Sequence, residues 1–133
     1  MEKKLKIYIA SPFFNEKEIQ KVKEVKNTLN KAGFYNLYIP MEHEPRHLNN
    51  NWEKEAYDQD IEAIEDCDAL CAIYYGNVSD SGTAFEIGYA KALGKPIAII
   101  NMTNESNLMI TQSATSNFDS KFNHLDKTLL KQT

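Results

Sequence analysis

Arginine is nearly missing from this 133-residue chain: of 15 basic residues, Arg46 alone carries a guanidinium. Nineteen acidic residues bring the formal net charge to -4, so a nucleic-acid surface, which wants clustered Lys and Arg, is not expected. The same scarcity leaves few groups for a bidentate phosphate clamp. Cysteine is also sparse. Cys67 and Cys71 are too few for a disulfide framework and read as core packing in a reducing compartment. No apolar run approaches the roughly 20 residues of a membrane span. Met-Glu-Lys-Lys leads straight into a short strand-like run rather than an apolar leader. The expectation is a cytoplasmic protein with neither membrane nor nucleic acid as partner. Glycine signatures are missing as well: there is no GxGxxG, GxxxxGK[ST] or GxSxG. Ser11-Pro12-Phe13-Phe14 lacks the glycines with which a loop cradles phosphate.

What remains is an ordinary globular composition, 42% hydrophobic and 26% charged, at a length that suits one domain over residues 1–133. Four short apolar runs read as strands: 5–10 (LKIYIA), 34–39, 68–75 (DALCAIYY) and 96–101 (PIAIIN). Between them lie helical segments. Residues 16–31 carry Ile19, Val22, Val25 and Leu29, with Ala32 just beyond, on one side, and Gly33 stops them. Residues 52–65 follow a cap at Asn50 or Asn51, and residues 82–93 end at Gly94. Residues 41–50 form a polar irregular loop. Short helices over 106–113 and 124–131, and a fifth strand over 114–118, complete the reading. Alternating strands and helices predict an α/β fold: a parallel, flavodoxin/Rossmann-like sheet of four to five strands with helices on both faces. Ligands of such sheets sit beyond the carboxyl ends of the strands, here residues 11–15, 75–80 and 101–107.

Two carboxylates stand where a helix should be apolar. At 100° per residue, Glu86 neighbours Gly82, Thr83, Tyr89, Ala90 and Leu93, the side expected to face the core. Asp60 falls among Ala56, Tyr57, Ala63 and Ile64, while Asp58, Glu62 and Glu65 belong to a solvated face. A buried acid is costly unless something holds it, so each is either a candidate reactive group or half of a structural ion pair. Asp80, just before a helix, is first of all an N-cap, but it also lies at the predicted site mouth. Several carboxylates around one pocket suit glycosidic chemistry, one as nucleophile or base and another as proton donor. Tyr8 on the first strand is either core or the group that orients a carboxylate. Phe13, Phe14 and Trp52 either pack or stack a flat base. His43 and His47 lie four apart, but Pro45 interrupts the helix that would align them, so no metal site is expected.

Taken together these residues resemble the nucleoside 2-deoxyribosyltransferase family. The likeness spans about residues 6–109. It rests on Asp80 followed by Gly82-Thr83-Ala84-Phe85-Glu86-Ile87-Gly88-Tyr89-Ala90, on Ile7-Tyr8-Ile9-Ala10, on Asp60-Ile61 with Ile64, and on Asn107-Leu108-Met109. The resemblance implies a double displacement in which Glu86 attacks the anomeric carbon of a 2'-deoxynucleoside and a free purine or pyrimidine base then takes the sugar. Tyr8 would position Glu86, and Asp60 and Asp80 would share base protonation and sugar contacts. Phe13, Phe14 and Gly82 would border the substrate. Asn107 and Met109 would complete a neighbouring subunit's site in a homodimer or homohexamer, with no cofactor or metal. Residues 111–133 carry no such likeness. A deoxynucleoside 5'-monophosphate N-glycosidase, or a non-catalytic nucleotide-sensing domain, is the alternative reading.

Overall fold

The computed structural model describes residues 4–44 and 50–130. In chain order the elements are β1 (Ile7–Ala10), α1 (Glu16–Lys31), β2 (Leu37–Tyr38), α2 (Trp52–Asp66), β3 (Ala69–Tyr74), α3 (Ser81–Ala92), β4 (Ile97–Asn101), α4 (Leu108–Thr111), β5 (Ser116–Phe118) and α5 (Leu125–Leu130). The five strands make one parallel sheet in the order β2-β1-β3-β4-β5, a flavodoxin-like arrangement. β1 and β3 are central and buried at every residue, which is why their sequences read as unbroken apolar runs.

The pleat divides the core in two. Ile7, Ile9, Cys71, Ile73 and Ile100 face Val22, Val25 and Leu29 of α1 and Leu125 and Leu129 of α5. Tyr8, Ala10, Leu70, Ala72, Tyr74 and Ile99 face the opposite way, against Ile64 of α2, Ile87 and Ala90 of α3, and Ile110 of α4. Side chains two apart on a strand share a face, so Tyr8 is committed to the α2–α3 side. Both cysteines are free and buried.

Local chemistry sets the helix ends. Asn15 accepts from the Glu18 backbone N–H at 3.0 Å while the Glu18 carboxylate accepts from the Phe14 N–H at 2.8 Å, so both sides of the first turn are satisfied. Gly33 and Gly94, at φ of 98° and 76°, close α1 and α3 in the left-handed region. Asn51 takes the cap position of α2, without a capping bond from its side chain.

Three expectations change. The second strand, read over 34–39, pairs with β1 only at Leu37 and Tyr38; as an edge strand it has one neighbour, with Phe34 a buried isolated bridge and Ile39 buried just past the ladder. The core stripe of α3 is Thr83, Ile87 and Ala90, with Leu93 43% exposed. Glu86 therefore sits beside the stripe rather than on it, because α3 meets the sheet one residue further round. Likewise α2 buries Ile64 while Tyr57 is largely exposed, so Asp60 borders the packed face instead of centring it.

No helix among the described residues is long and apolar enough to cross a membrane.

Candidate active site

The carboxyl ends of β1 and β3 open onto a cleft of about 370 Å³. The loop after β1 supplies Ser11, Pro12, Phe13 and Phe14. The loop after β2 supplies Pro40, His43 and Glu44. The inner side of α2 adds Ala56, Gln59 and Asp60, and the start of α3 adds Asp80, Ser81, Gly82 and Glu86. This is where the strand order reverses between β1 and β3, the place an open parallel sheet offers a ligand.

Each acid is held by a different device. Glu86, one turn into α3, accepts a hydrogen bond at Oε2 from the hydroxyl of Tyr8, whose side chain rises from β1 fully buried. Asp60 accepts at Oδ1 from the Tyr38 hydroxyl at 3.1 Å. Asp80 caps α3: its Oδ2 accepts from the Thr83 backbone N–H at 2.9 Å and from the Thr83 hydroxyl at 2.6 Å. Just upstream, Tyr74 at the end of β3 donates to Ser79 Oγ at 3.0 Å, which anchors the loop that delivers Asp80. Gly76 in that loop leaves no room for a side chain, since a Cβ there would fall 1.7 Å from the Glu105 carbonyl oxygen.

Burial governs the protonation of these groups. It raises the Glu86 carboxyl to about 8; the Tyr8 hydrogen bond opposes the rise, and the charges of Asp60 and Asp80 add to it. Burial also raises Asp60, against the Tyr38 hydrogen bond and the nearby His43, with Glu44 reinforcing the rise. The phenols of Tyr8 and Tyr38 go up as well, first by burial and then by the adjoining carboxylates, so both remain hydrogen-bond donors. Two half-buried acids whose proton affinity is raised by burial, each braced by a tyrosine, are equipped for proton transfer and nucleophilic attack.

Of the residues singled out from sequence, Glu86, Asp60, Asp80, Phe13, Phe14 and Gly82 line this cleft, and Tyr8 supports it from beneath. Asn107 and Met109 do not reach it: they border a separate depression of about 480 Å³ with Ala84, Ile87 and Gly88 of α3. Asn107 caps α4 through the Met109 N–H at 2.8 Å, and Met109 is 73% exposed. Trp52 does not line the cleft. Arg46 and His47 lie outside the described residues. Among the described residues no group of three His, Cys, Asp or Glu side chains is placed to hold a metal ion.

One pairing escaped the sequence reading: Tyr38, which holds Asp60, stacks on His43, weighed from sequence only as a metal ligand. The Tyr38 ring lies against Tyr8 at 5.4 Å and 15°, and His43 covers its other neighbourhood at 4.5 Å and 6°. The signal lay in strand pairing, Tyr8 opposite Tyr38, which sequence alone does not display.

Comparison with known proteins bears on the family and the fold. Residues 7–124 match the family model described as nucleoside 2-deoxyribosyltransferase. A nucleoside deoxyribosyltransferase of Limosilactobacillus fermentum is 26% identical, over 84% of this chain and 77% of the relative. Among solved structures, a 2-deoxyribosyltransferase from Bacillus psychrosaccharolyticus is 35% identical and superposes with a TM-score of 0.78 over 85% of each chain. A CMP N-glycosidase of Clostridium botulinum, 19% identical, shares the fold with a TM-score of 0.62 over 93% of this chain and 97% of its own.

Proposed function

The chain belongs to the nucleoside 2-deoxyribosyltransferase family, and from that premise we propose that it moves 2-deoxyribose between nucleobases by double displacement at Glu86. The observation that carries this reading is the Tyr8–Glu86 hydrogen bond at the floor of a cleft that also holds Asp60 and Asp80. Ionised Glu86 attacks C1' of a 2'-deoxynucleoside as the C1'–N bond breaks, and the bonding pair leaves with the base. Asp60 supplies the proton that the departing base nitrogen takes up, which leaves Asp60 as a carboxylate. The sugar is then an ester of Glu86. An incoming base attacks C1', the ester bond returns its pair to Glu86, and the proton shed by the new base restores Asp60. Two inversions give net retention.

The division of labour between the two aspartates follows from their partners. Asp80 has one oxygen committed to Thr83 twice over, which suits a fixed acceptor for sugar hydroxyls. Asp60 has a single phenol on Oδ1 and a raised proton affinity, which suits a proton donor. Phe13 and Phe14 border the cleft as apolar walls for the base, and Gly82 borders it without a side chain. Asn107 and the exposed Met109 stand beyond α3 from their own cleft, which supports their serving a neighbouring subunit in a homodimer or homohexamer.

The fold shared with a CMP N-glycosidase favours a second reading, hydrolysis of a deoxynucleoside 5'-monophosphate. The charged residues that line the cleft count against it. Among the described residues, Asp60, Asp80 and Glu86 all line the cleft, acids that oppose a phosphate dianion. Incubation with thymidine and adenine, followed by chromatography, separates the two. Deoxyadenosine formation supports transfer. Release of thymine and free deoxyribose without exchange, or turnover confined to thymidine monophosphate, supports hydrolysis.

A further inference from the structure

The tyrosines of this site come as a matched pair, and only Tyr8 has a role so far. Register places Tyr8 of β1 directly opposite Tyr38 of β2, on the sheet face that α2 and α3 cover. Their rings stack at 5.4 Å, and each hydroxyl ends on a carboxylate of a different helix, Glu86 of α3 and Asp60 of α2. Tyr38 does not line the cleft, whereas Asp60 does. Anything Tyr38 contributes to the chemistry passes through Asp60.

We propose that Tyr38 is a positioning residue for departure of the base, holding Asp60 by the 3.1 Å bond to Oδ1 so that Oδ2 carries the transferable proton. The assignment rests on the transferase reading given above. Three features support it. Asp60 is half-buried at the edge of the packed face of α2, where a short side chain has more than one rotamer unless a partner selects one. The Tyr38 ring is confined between Tyr8 and His43, so its hydroxyl is a fixed point rather than a swinging one. A phenol that donates to Oδ1 also stabilises the carboxylate left after Oδ2 gives up its proton, the state in which the C1'–N bond has broken and the pair has gone to the base. Tyr38 itself neither gains nor loses a proton; burial and the Asp60 charge push its phenol up.

Leaving-group chemistry isolates this role. 2'-Deoxyguanosine needs a proton on its base to leave, whereas 7-methyl-2'-deoxyguanosine is already cationic and departs as a neutral base without one. Tyr38→Phe keeps the ring in its stack and removes only the hydroxyl. Its kcat with 2'-deoxyguanosine is expected to fall roughly 10- to 100-fold, against less than about 3-fold for the methylated substrate, in line with loss of general-acid assistance. Asp60→Asn shows the same selectivity, and adding Tyr38→Phe to Asp60→Asn costs nothing further, because the hydroxyl acts only through that proton. Tyr8→Phe slows both substrates, since Glu86 attacks in either case. Equal loss on both substrates in Tyr38→Phe, no loss on 2'-deoxyguanosine, or an additive double variant overturns the assignment while leaving the transferase reading intact. A wild-type protein that turns over neither substrate overturns both.

Discussion

Glu86 must be ionised to attack, yet its surroundings favour the proton. Burial raises it to about 8, while Asp60 is raised by a similar cause from a lower start. The productive arrangement, Glu86 charged and Asp60 protonated, is one of two forms of the singly protonated pair, the other holding the proton on Glu86, and it exists only while the pair keeps one proton. Above about 8 the pair releases its last proton and base departure loses its acid. A plot of kcat/KM against pH is expected to be bell-shaped with its falling limb near 8. Tyr8→Phe removes the bond that lowers Glu86, so it should move that limb to higher pH while reducing kcat; a limb left in place would contradict the bond's role. Stability follows the same titration. Glu86 binds its proton more tightly in the folded state, so its contribution is intact below the ordinary carboxylate value of about 4.5 and is lost as pH rises through about 8. Glu86→Gln should accordingly melt higher than wild type at pH 9, by a difference on the order of 1–3 kcal/mol, and gain nothing at pH 4. Equal melting shifts at both pH values would refute the burial account.

Elements differ in how much of themselves the sequence displays. α1 was legible to the residue, Glu16–Lys31, because an amphipathic stripe and Gly33 mark its face and its end at once; the Asn15 cap that sets its start shows only in the structure. β3 and β4 announced themselves as apolar runs, since both faces of a central parallel strand are covered. β2 did not. Two residues have no alternation to read, and which way Tyr38 points depends on pairing with a strand some thirty positions earlier. For the same reason Tyr8, Asp60, Asp80 and Glu86 could be picked out one by one, but the Tyr38–His43 stack could not. α3 was placed correctly along the chain and rotated wrongly about its axis, because a helix apolar on most sides gives a weak directional signal and the sheet decides its facing. Loop packing is likewise invisible in sequence. Gly76 lies where any Cβ would strike the Glu105 carbonyl, so Gly76→Ala must push apart the loops that carry Asp80 and Asn107. A loss of about 1–3 kcal/mol is expected, read as a lower thermal midpoint; an unchanged midpoint would show that the loops give way freely.

For the molecule as a whole, the strand order concentrates function at one edge. Reversal between β1 and β3 brings the segments after both strands to a common opening, and α2 and α3 supply the acids from either side. The chain's excess of acid over base is repeated among the described residues of that cleft, which should select uncharged nucleosides over their phosphates. Thymidine is expected to exceed thymidine monophosphate in kcat/KM by at least about 10-fold at low salt, with the gap narrowing as added salt screens the field; a preference for the monophosphate would contradict it. The transfer mechanism depends on a covalent ester at Glu86, and that ester can be sought directly. A 2'-deoxynucleoside analogue with fluorine at C2' slows breakdown of such an intermediate, and peptide mass spectrometry after an acid quench locates it. The account predicts one sugar adduct on the peptide that contains Glu86, absent from Glu86→Gln, which also loses base exchange. An adduct on another residue, or exchange at the wild-type rate in Glu86→Gln, would contradict it.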